Sequence, residues 1–487
     1  MKKKDILIVL VLLMMPFLAG AQALKGSYFL DSSLNRHEMN PAFAPRANYV
    51  QLFGIGNFGV GEMTNLDMPS LLYPVNGKLA TFLHPDVSVK QFDRTFPKHP
   101  HFDVNFDATL LGFGFYTKRK SFWTFDVDMR ANVDTDLPGD LFRFIKMGAG
   151  TSGKSFNVGN VNVYGTSGIQ ASLGYSRNIV KGLRVGVKAR VIAPMCYGAI
   201  NLENVRLTTG ADKWTLSTEG YAHLSAQGLT AKLPEGEMVP EFSFDQQLML
   251  QNKVLAGFGY SFDLGFEYRL ENGSLLDGLA VSAAVTDLGK IRYKQNATHS
   301  YSTKGSVDWV GFQNVSMDNM EFESVLNDFI EEAKNSLVNL SEIKHDGEMT
   351  RSTMPRIYAG VEIPLCTPKV TVGMLYSSRI SHSYARNELT TSLNLNPCKW
   401  FALGLNYSFL NTTRSMGFIM EFTPKIGPTL YIGADYLPVE FAPLGMDIDA
   451  LNSMITHLPT SWRMNLNFGL ALHTGSKHLK KNTKPKR

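Results

Sequence analysis

Residues Phe258 to Arg269 read FGYSFDLGFEYR, and their alternation decides the fold. Phe258, Tyr260, Phe262, Leu264, Phe266 and Tyr268 hold one parity, while Gly259, Ser261, Asp263, Gly265, Glu267 and Arg269 hold the other. Successive side chains of a strand point to opposite faces, so this stretch makes a wall that is greasy on one side and polar on the other. The pattern recurs. Trp123, Phe125, Val127, Met129, Ala131 and Val133 alternate with Thr124, Asp126, Asp128, Arg130 and Asn132. Leu183, Val185, Val187, Ala189 and Val191 alternate with Arg184, Gly186, Lys188 and Arg190. Trp462, Met464, Leu466, Phe468, Leu470 and Leu472 alternate with Arg463, Asn465, Asn467 and Gly469. A soluble sandwich alternates over ~5–6 residues, whereas these runs match the ~9–11 residues of a tilted strand that crosses a bilayer.

Weaker runs of the same kind begin near Tyr49, Val104, Ile169, Leu279, Ile357, Val370, Leu389, Phe401, Met416 and Leu430. Together they predict an all-β fold, a transmembrane antiparallel β-barrel of about fourteen strands, an even number as single-chain bacterial barrels have. Connections support this. Lys118 to Lys120, Arg177 to Gly182, Glu271 to Asp277, Pro364 to Pro368, Asn396 to Lys399 and Pro424 to Pro428 are short turns. Between them lie long stretches at Asp134 to Gly165, Ile192 to Val254, Gly289 to Pro355 and Pro438 to Thr460, with a short exception at Ser408 to Ser415. Short periplasmic turns facing long extracellular loops is barrel topology, and it puts both termini in the periplasm.

The first residues read as an export address. Lys2, Lys3 and Lys4 precede an apolar core from Ile6 to Leu18 and a small-x-small step at Ala21-Gln22-Ala23. Residues 1–23 are therefore assigned as a signal peptide, since the apolar core is too short to span ~30 Å of hydrocarbon as a helix. Residues 24–48 follow as an N-terminal hatch or plug, 49–473 as the outer-membrane barrel, and 474–487 as a basic, disordered periplasmic tail. The chain of 487 residues carries 19% charged and 11% aromatic residues, below the ~25% charge of a typical soluble protein. Its formal net charge of +5 lies partly in the tail and makes no case for nucleic acid; the partner implied is outer-membrane lipid.

Within the Gly289 to Pro355 loop, Phe322, Val325, Leu326, Phe329, Ile330, Ala333, Leu337 and Leu340 recur at helical spacing. Such an amphipathic helix lies across the barrel mouth, or serves as a gate or docking helix. Ile192 to Val254 has room for an extra hairpin, with Trp214, Leu216 and Tyr221 in strand pattern. Three cysteines are too few for a disulfide scaffold. Cys366 and Cys398 fall in neighbouring periplasmic turns and are disulfide candidates if their Cα atoms come within ~7 Å; Cys196 lies near the other rim.

No catalytic motif is present, and Lys98-His99-Pro100-His101 has no third metal ligand at a recognisable spacing, so neither enzyme activity nor metal nor other cofactor is expected. Polar rows carry more information. Asp126, Asp128 and Arg130 share one face, Arg184, Lys188 and Arg190 another, and Asp263, Glu267 and Arg269 a third. Arg or Lys facing lipid near the midplane costs ~2–4 kcal/mol, so these residues are expected to line the lumen. There they form a mutually neutralising network or a lining that orients a charged headgroup.

The segment ahead of the first strand contains Asn35-Arg36-His37 and Asn40-Pro41-Ala42, followed by Gly54, Gly56, Gly59 and Gly61. It resembles the start of FadL-type barrels, in which a hatch bearing an Asn-Pro-Ala motif precedes about fourteen strands, within the range of bacterial barrels. Tyr28-Phe29-Leu30-Asp31 through Asn40-Pro41-Ala42-Phe43, with Val285-Thr286-Asp287-Leu288-Gly289, is similar to an outer-membrane family of the Bacteroidota related to type IX secretion barrels. The first resemblance implies a channel for a small hydrophobic or amphipathic molecule, gated by the hatch. The second implies a scaffold or secretion-accessory barrel that binds a secreted protein through its loops. Intact-mass analysis of the exported protein is expected to find Leu24 as its first residue; a product that retains Met1 would overturn the leader assignment.

Overall fold

The computed structural model describes residues 24–474 except 53–55, 77, 119, 148–154, 210–213, 233–240, 245–254, 272–276, 310–340, 345–346, 366, 368, 382–384, 411–413, 425–426, 440, 444–456 and 460. Among the described residues, fourteen antiparallel strands close into one ring. In chain order they are β1 (Asn48–Leu52 and Asn57–Asp67), β2 (His101–Tyr116), β3 (Phe122–Asp136), β4 (Ser155–Val180) and β5 (Leu183–Thr209). Then come β6 (Gly257–Arg269), β7 (Ala280–Tyr293), β8 (Arg356–Pro364), β9 (Val370–Ile380) and β10 (Ala385–Cys398). β11 (Phe401–Leu410), β12 (Arg414–Phe422), β13 (Gly427–Pro438) and β14 (Ser461–Thr474) complete the wall. Each pairs with its neighbours in sequence. The ring closes where β1 meets β14, with Asn48 opposite Thr474 and Phe58 opposite Phe468.

Alternation along each strand becomes the two faces of this wall. In β6, Phe258, Phe262 and Leu264 are each more than half exposed, at 56%, 51% and 54%, while Ser261 and Asp263 between them are at 0%. The outward row continues through Val187, Val191, Val361, Met374, Leu405, Leu430, Ile432, Met464 and Phe468. A continuous apolar belt around a closed ladder is what hydrocarbon requires, because lipid solvates methyl groups and offers no hydrogen bond to a backbone edge. No helix among the described residues is long and apolar enough to cross a membrane. The strands make the crossing.

The two rims differ. One carries the short connections 117–121, 181–182, 270–279, 365–369, 399–400 and 423–426 together with both ends of the ring. The other carries 68–100, 137–154, 210–256, 294–355 and 439–460, and also the short connections 381–384 and 411–413. The first of these two short ones was not anticipated from sequence. Two expected loops are replaced in part by strand. β4 and β5 run for 26 and 27 residues, so Ser155 to Gly165 and Ile192 to Thr209 stay in the ladder rather than forming connections. Trp214–Ala226 pairs with the β5 extension, and Thr298–Trp309 pairs with Trp214–Ala226, so a sheet projects past the barrel on the long-loop rim. Trp214–Ala226 coincides with the strand pattern expected at Trp214, Leu216 and Tyr221, whereas the β4 and β5 extensions fall where loops were expected, since beyond the bilayer neither face of a strand must be apolar.

Connection 68–100 builds a small core of its own. Tyr73, Phe82, Val87, Phe92 and Phe96 pack together, with Phe142 against them. It contains helix α1 (Val89–Thr95), started by Ser88 and Gln91 in a reciprocal cap, and leans on α2 (Gly139–Met147), which carries Phe142. Nothing periodic marks such short pieces. The leader at 1–23, the tail from 475 onward and the expected loop helix at Phe322 to Leu340 lie outside the described residues. Replacing Leu264 by Arg, at an outward site mid-strand, is expected to destabilise the barrel by ~2–4 kcal/mol in urea unfolding from lipid vesicles. A change below ~0.5 kcal/mol would deny that this face meets lipid.

Candidate functional site

Residues 24–47 contribute no strand to the wall; they fill the bore. Two single turns of 3-10 helix, Lys25–Ser27 and Asn35–Glu38, fold the segment tightly, and nearly all of it from Leu24 to Ala44 is buried. It reaches every side of the ring. On one side the Lys25 backbone N–H donates to Asp435 Oδ2 at 2.8 Å, and the Lys25 ammonium pairs with Glu388. Tyr436 donates to the same Glu388 carboxylate at 2.9 Å, and Asn406 to Asp435 at 2.6 Å. Tyr28, fully buried, packs edge-on against Phe29 and Phe43 at 4.9 Å and meets Ser282 through its hydroxyl at 3.1 Å. Leu24 and Leu30 pack with Ala402, Ile419 and Tyr431 on the facing wall.

Charges in the segment meet charges of the wall. Asp31 pairs with Arg36, with Arg46 at 3.6 Å and with Arg269 at 3.6 Å, while Arg36 also lies over the Phe43 ring at 3.9 Å. Glu38 lies 3.5 Å from Arg130. His37 is the most enclosed of these groups. Lys188 Nζ approaches its Nδ1 at 3.0 Å, and Tyr49 Oη its Nε2 at 2.7 Å. Burial, aided by the Lys188 ammonium, holds the imidazole well below its usual range, so it is neutral. An ammonium can only donate, so Nδ1 accepts, and Nε2 carries the proton that it donates to Tyr49.

Of the nine charged residues expected to line the lumen, six pair with one another and three meet other partners. Lys188 donates to Asp126 at 3.2 Å, and Arg190 meets Asp263 at 2.6 Å. Arg269 meets Glu267 at 2.9 Å, and Arg130 meets Asp107 at 2.6 Å. Asp128 accepts from Thr109 at 2.9 Å, and Arg184 donates to Ser176 and Asn178 near the short-turn rim. Cys196 and Cys398 are free thiols, and Cys366 lies outside the described residues.

Asn40-Pro41-Ala42 sits on a shelf cut into this inner face. Asn40 accepts from the Ala42 N–H at 2.9 Å, which closes a tight turn, and donates to the Phe266 carbonyl at 3.1 Å. Beneath it Gly186 of β5 and Gly265 of β6 stand directly opposite each other in the ladder. A Cβ on Gly186 would lie 2.1 Å from the Pro41 carbonyl oxygen, and one on Gly265 would lie 2.1 Å from Asn40 Oδ1. Only a paired absence of side chains lets the backbone of the motif lie flat on the wall.

Toward the long-loop rim the bore holds a cavity of about 130 Å³. Arg130, Arg351, Arg356, Arg379 and Asp287 supply its charge, and Ile192, Pro194, Tyr197, Ile291, Tyr293 and Met354 its apolar surface. Asp287 was not singled out as a site residue, yet it is the hub of the network. It meets Arg190, Arg130 at 3.6 Å and Arg356 at 3.7 Å, and its N–H donates to Asp263 at 2.8 Å. Its φ of +59° lies at a bulge between β6 and β7, where Phe262 faces Leu288 but Leu264 faces Val285. The bulge turns Thr286 and Asp287 inward together, against strict alternation, and Asp tolerates this left-handed backbone better than most residues. Tyr436, with φ of +65°, sits at an equivalent irregularity opposite β12.

A family model described as "Family of unknown function (DUF5723)" matches residues 41–435. The chain belongs to the DUF5723 family. The match runs from Pro41 of the shelf motif to the Asp435 carboxylate that receives Lys25, so in this DUF5723 barrel it includes most of the inner network. Among curated proteins none matches the chain. Solved structures resemble it at low identity. The toluene transporter TodX of P. putida is 10% identical over 91% of this chain and 94% of its own, with a TM-score of 0.39. TbuX, the toluene transporter of Ralstonia pickettii, is 8% identical over 91% and 94%, with a TM-score of 0.40. A FadL homologue of Pseudomonas aeruginosa is 12% identical over 93% and 97%, with a TM-score of 0.37.

Apart from Asp287, sequence reasoning missed Arg351, Arg356 and Arg379. The first two lie in the connection before β8 and at its first residue, where alternation is short, and the third ends a strand. Gly186 and Gly265 were visible only as small residues in polar rows. In this DUF5723 barrel, Gly186→Val is expected to lift the Asn40-Pro41-Ala42 turn and expose the buried Arg36 to trypsin, while the barrel keeps its heat-modifiable mobility. Unchanged protection of Arg36 in the variant would show that the shelf does not hold the segment.

Proposed function

We propose that the protein is an outer-membrane channel, with both chain ends in the periplasm, that passes a small amphipathic molecule through a bore gated by residues 24–47. The observation that carries this reading is how the segment is attached. It fills the lumen and yet supplies no strand to the wall, being continuous with β1 at Asn48 alone. Its withdrawal breaks side-chain contacts and leaves every ladder of the ring intact.

Physical chemistry sets the default state. Removing one partner from a buried ion pair costs ~3–5 kcal/mol, so the contacts of Lys25 with Glu388 and Glu38 with Arg130 keep the bore shut. Opening requires a ligand that binds the open arrangement better than the closed one. The cavity on the long-loop side, lined by Tyr197, Tyr293 and the guanidiniums, is where a molecule arriving from outside would first bind, and its Arg130 reaches Glu38 of the segment at 3.5 Å. A fourteen-stranded ring lies between eight-stranded barrels, which side chains just fill, and the 16-stranded porins that hold an aqueous channel, so an emptied bore would conduct. Deleting Leu24 to Ala47 is expected to raise single-channel conductance in planar bilayers at least ~tenfold over the intact protein. Equal conductance of the two would remove the gate from this reading.

A further inference from the structure

Arg356 and Arg379 stand directly opposite each other in the ladder of β8 and β9. Like charges in that position repel and destabilise a sheet. Both face the cavity of about 130 Å³, and Arg351 and Arg130 join them there, so four guanidiniums and one carboxylate, Asp287, line it. The neutralising carboxylates stand mostly behind. Asp134 holds Arg379 at 3.1 Å, Asp107 holds Arg130 at 2.6 Å, and Asp287 is divided among three arginines. Arg351 has no carboxylate within ion-pair distance among the described residues. The buried Nε atoms of Arg351, Arg356 and Arg379 have no hydrogen-bond partner among the described residues.

Resting on the reading of the bore as a passage, we propose that this cavity binds a small amphipathic oxyanion. Its carboxylate or phosphate head sits among Arg351, Arg356 and Arg379, and its short apolar body lies on Ile192, Tyr197, Ile291 and Met354. Planar guanidinium forks match the paired oxygens of such a head, which an ammonium does not. The bound head adds negative charge on the cavity side of Arg356 and Arg379, whose carboxylate partners Asp287 and Asp134 are shared or stand behind. Volume sets the size of the body: cavities on the order of 150 Å³ admit a benzene-sized group.

The test uses the full-length barrel in a non-ionic detergent, titrated calorimetrically with hexanoate, hexyl phosphate, hexanol and inorganic phosphate. At least one of the two acids is expected to bind at least ~tenfold more tightly than hexanol, and whichever binds identifies the head as carboxylate or phosphate. Arg351→Gln is expected to weaken that binding at least ~tenfold while heat-modifiable mobility is kept, because no carboxylate is left unpaired. Arg351→Lys should recover part of the loss. Equal affinity for hexanol and the acids overturns the proposal, as does full binding by Arg351→Gln. Inorganic phosphate binding as tightly as hexyl phosphate overturns the apolar half. The outcome is separable from the gate, since acid binding without a conductance change on deleting Leu24 to Ala47 refutes the passage and leaves the site.

Discussion

Hydrocarbon offers no hydrogen bond and solvates no charge, and the rest of this molecule answers that constraint. A strand crossing the membrane has two faces, so whatever cannot meet lipid must turn to the bore. The strands send Asp126, Lys188, Asp263, Glu388 and Asn467, among others, to one enclosed space. Left alone there, those groups would be dehydrated and mutually repelling. The structure resolves this by pairing them, as with Asp126 and Lys188 or Asp263 and Arg190, and by inserting a segment whose own Lys25, Asp31 and Glu38 meet Glu388, Arg269 and Arg130 of the wall. Filling the bore and neutralising it are one operation.

Geometry is specific where strict alternation fails. A perfect two-residue period gives each strand a fixed comb of inward positions, and three arginines cannot all reach one carboxylate from such combs. The bulge at Asp287 breaks the comb once and brings a carboxylate to Arg130, Arg190 and Arg356 together. Gly186 and Gly265 break it differently, by removing side chains where a backbone must lie flat. Buried ion pairs contribute little net stability relative to apolar packing, but they penalise misplacement heavily. A network of this kind fixes one placement of the segment rather than merely holding it.

The wall was legible because lipid enforces period two on it. The four strong strands, the count of fourteen and the unequal rims can each be read from alternation and turn residues. Legibility ends where lipid ends. The extensions of β4 and β5, the small core around Phe92 and Phe96, and the arginines at strand ends obey contacts between distant residues, which leave no local period. Asp287 lay inside a stretch noticed for its resemblance, Val285 to Gly289, but the backbone reversal that makes it a hub has no signature beyond an Asp in a strand. The partners of Asn40-Pro41-Ala42 were hidden for the same reason, being more than 140 positions away along the chain.

Because Asn48 faces Thr474, the seam of the ring joins the beginning of the wall to its end. Synthesis makes residues 24–47 before β1 and β14 last, so the lumen-filling piece exists before any cylinder does. It touches β5, β6, β7, β10, β12 and β13 in turn, and can act as a mandrel around which later strands are wrapped before the seam is sewn. A segment placed in this way can serve as a jig while the wall is built, so its sequence answers to assembly as well as to the finished fold.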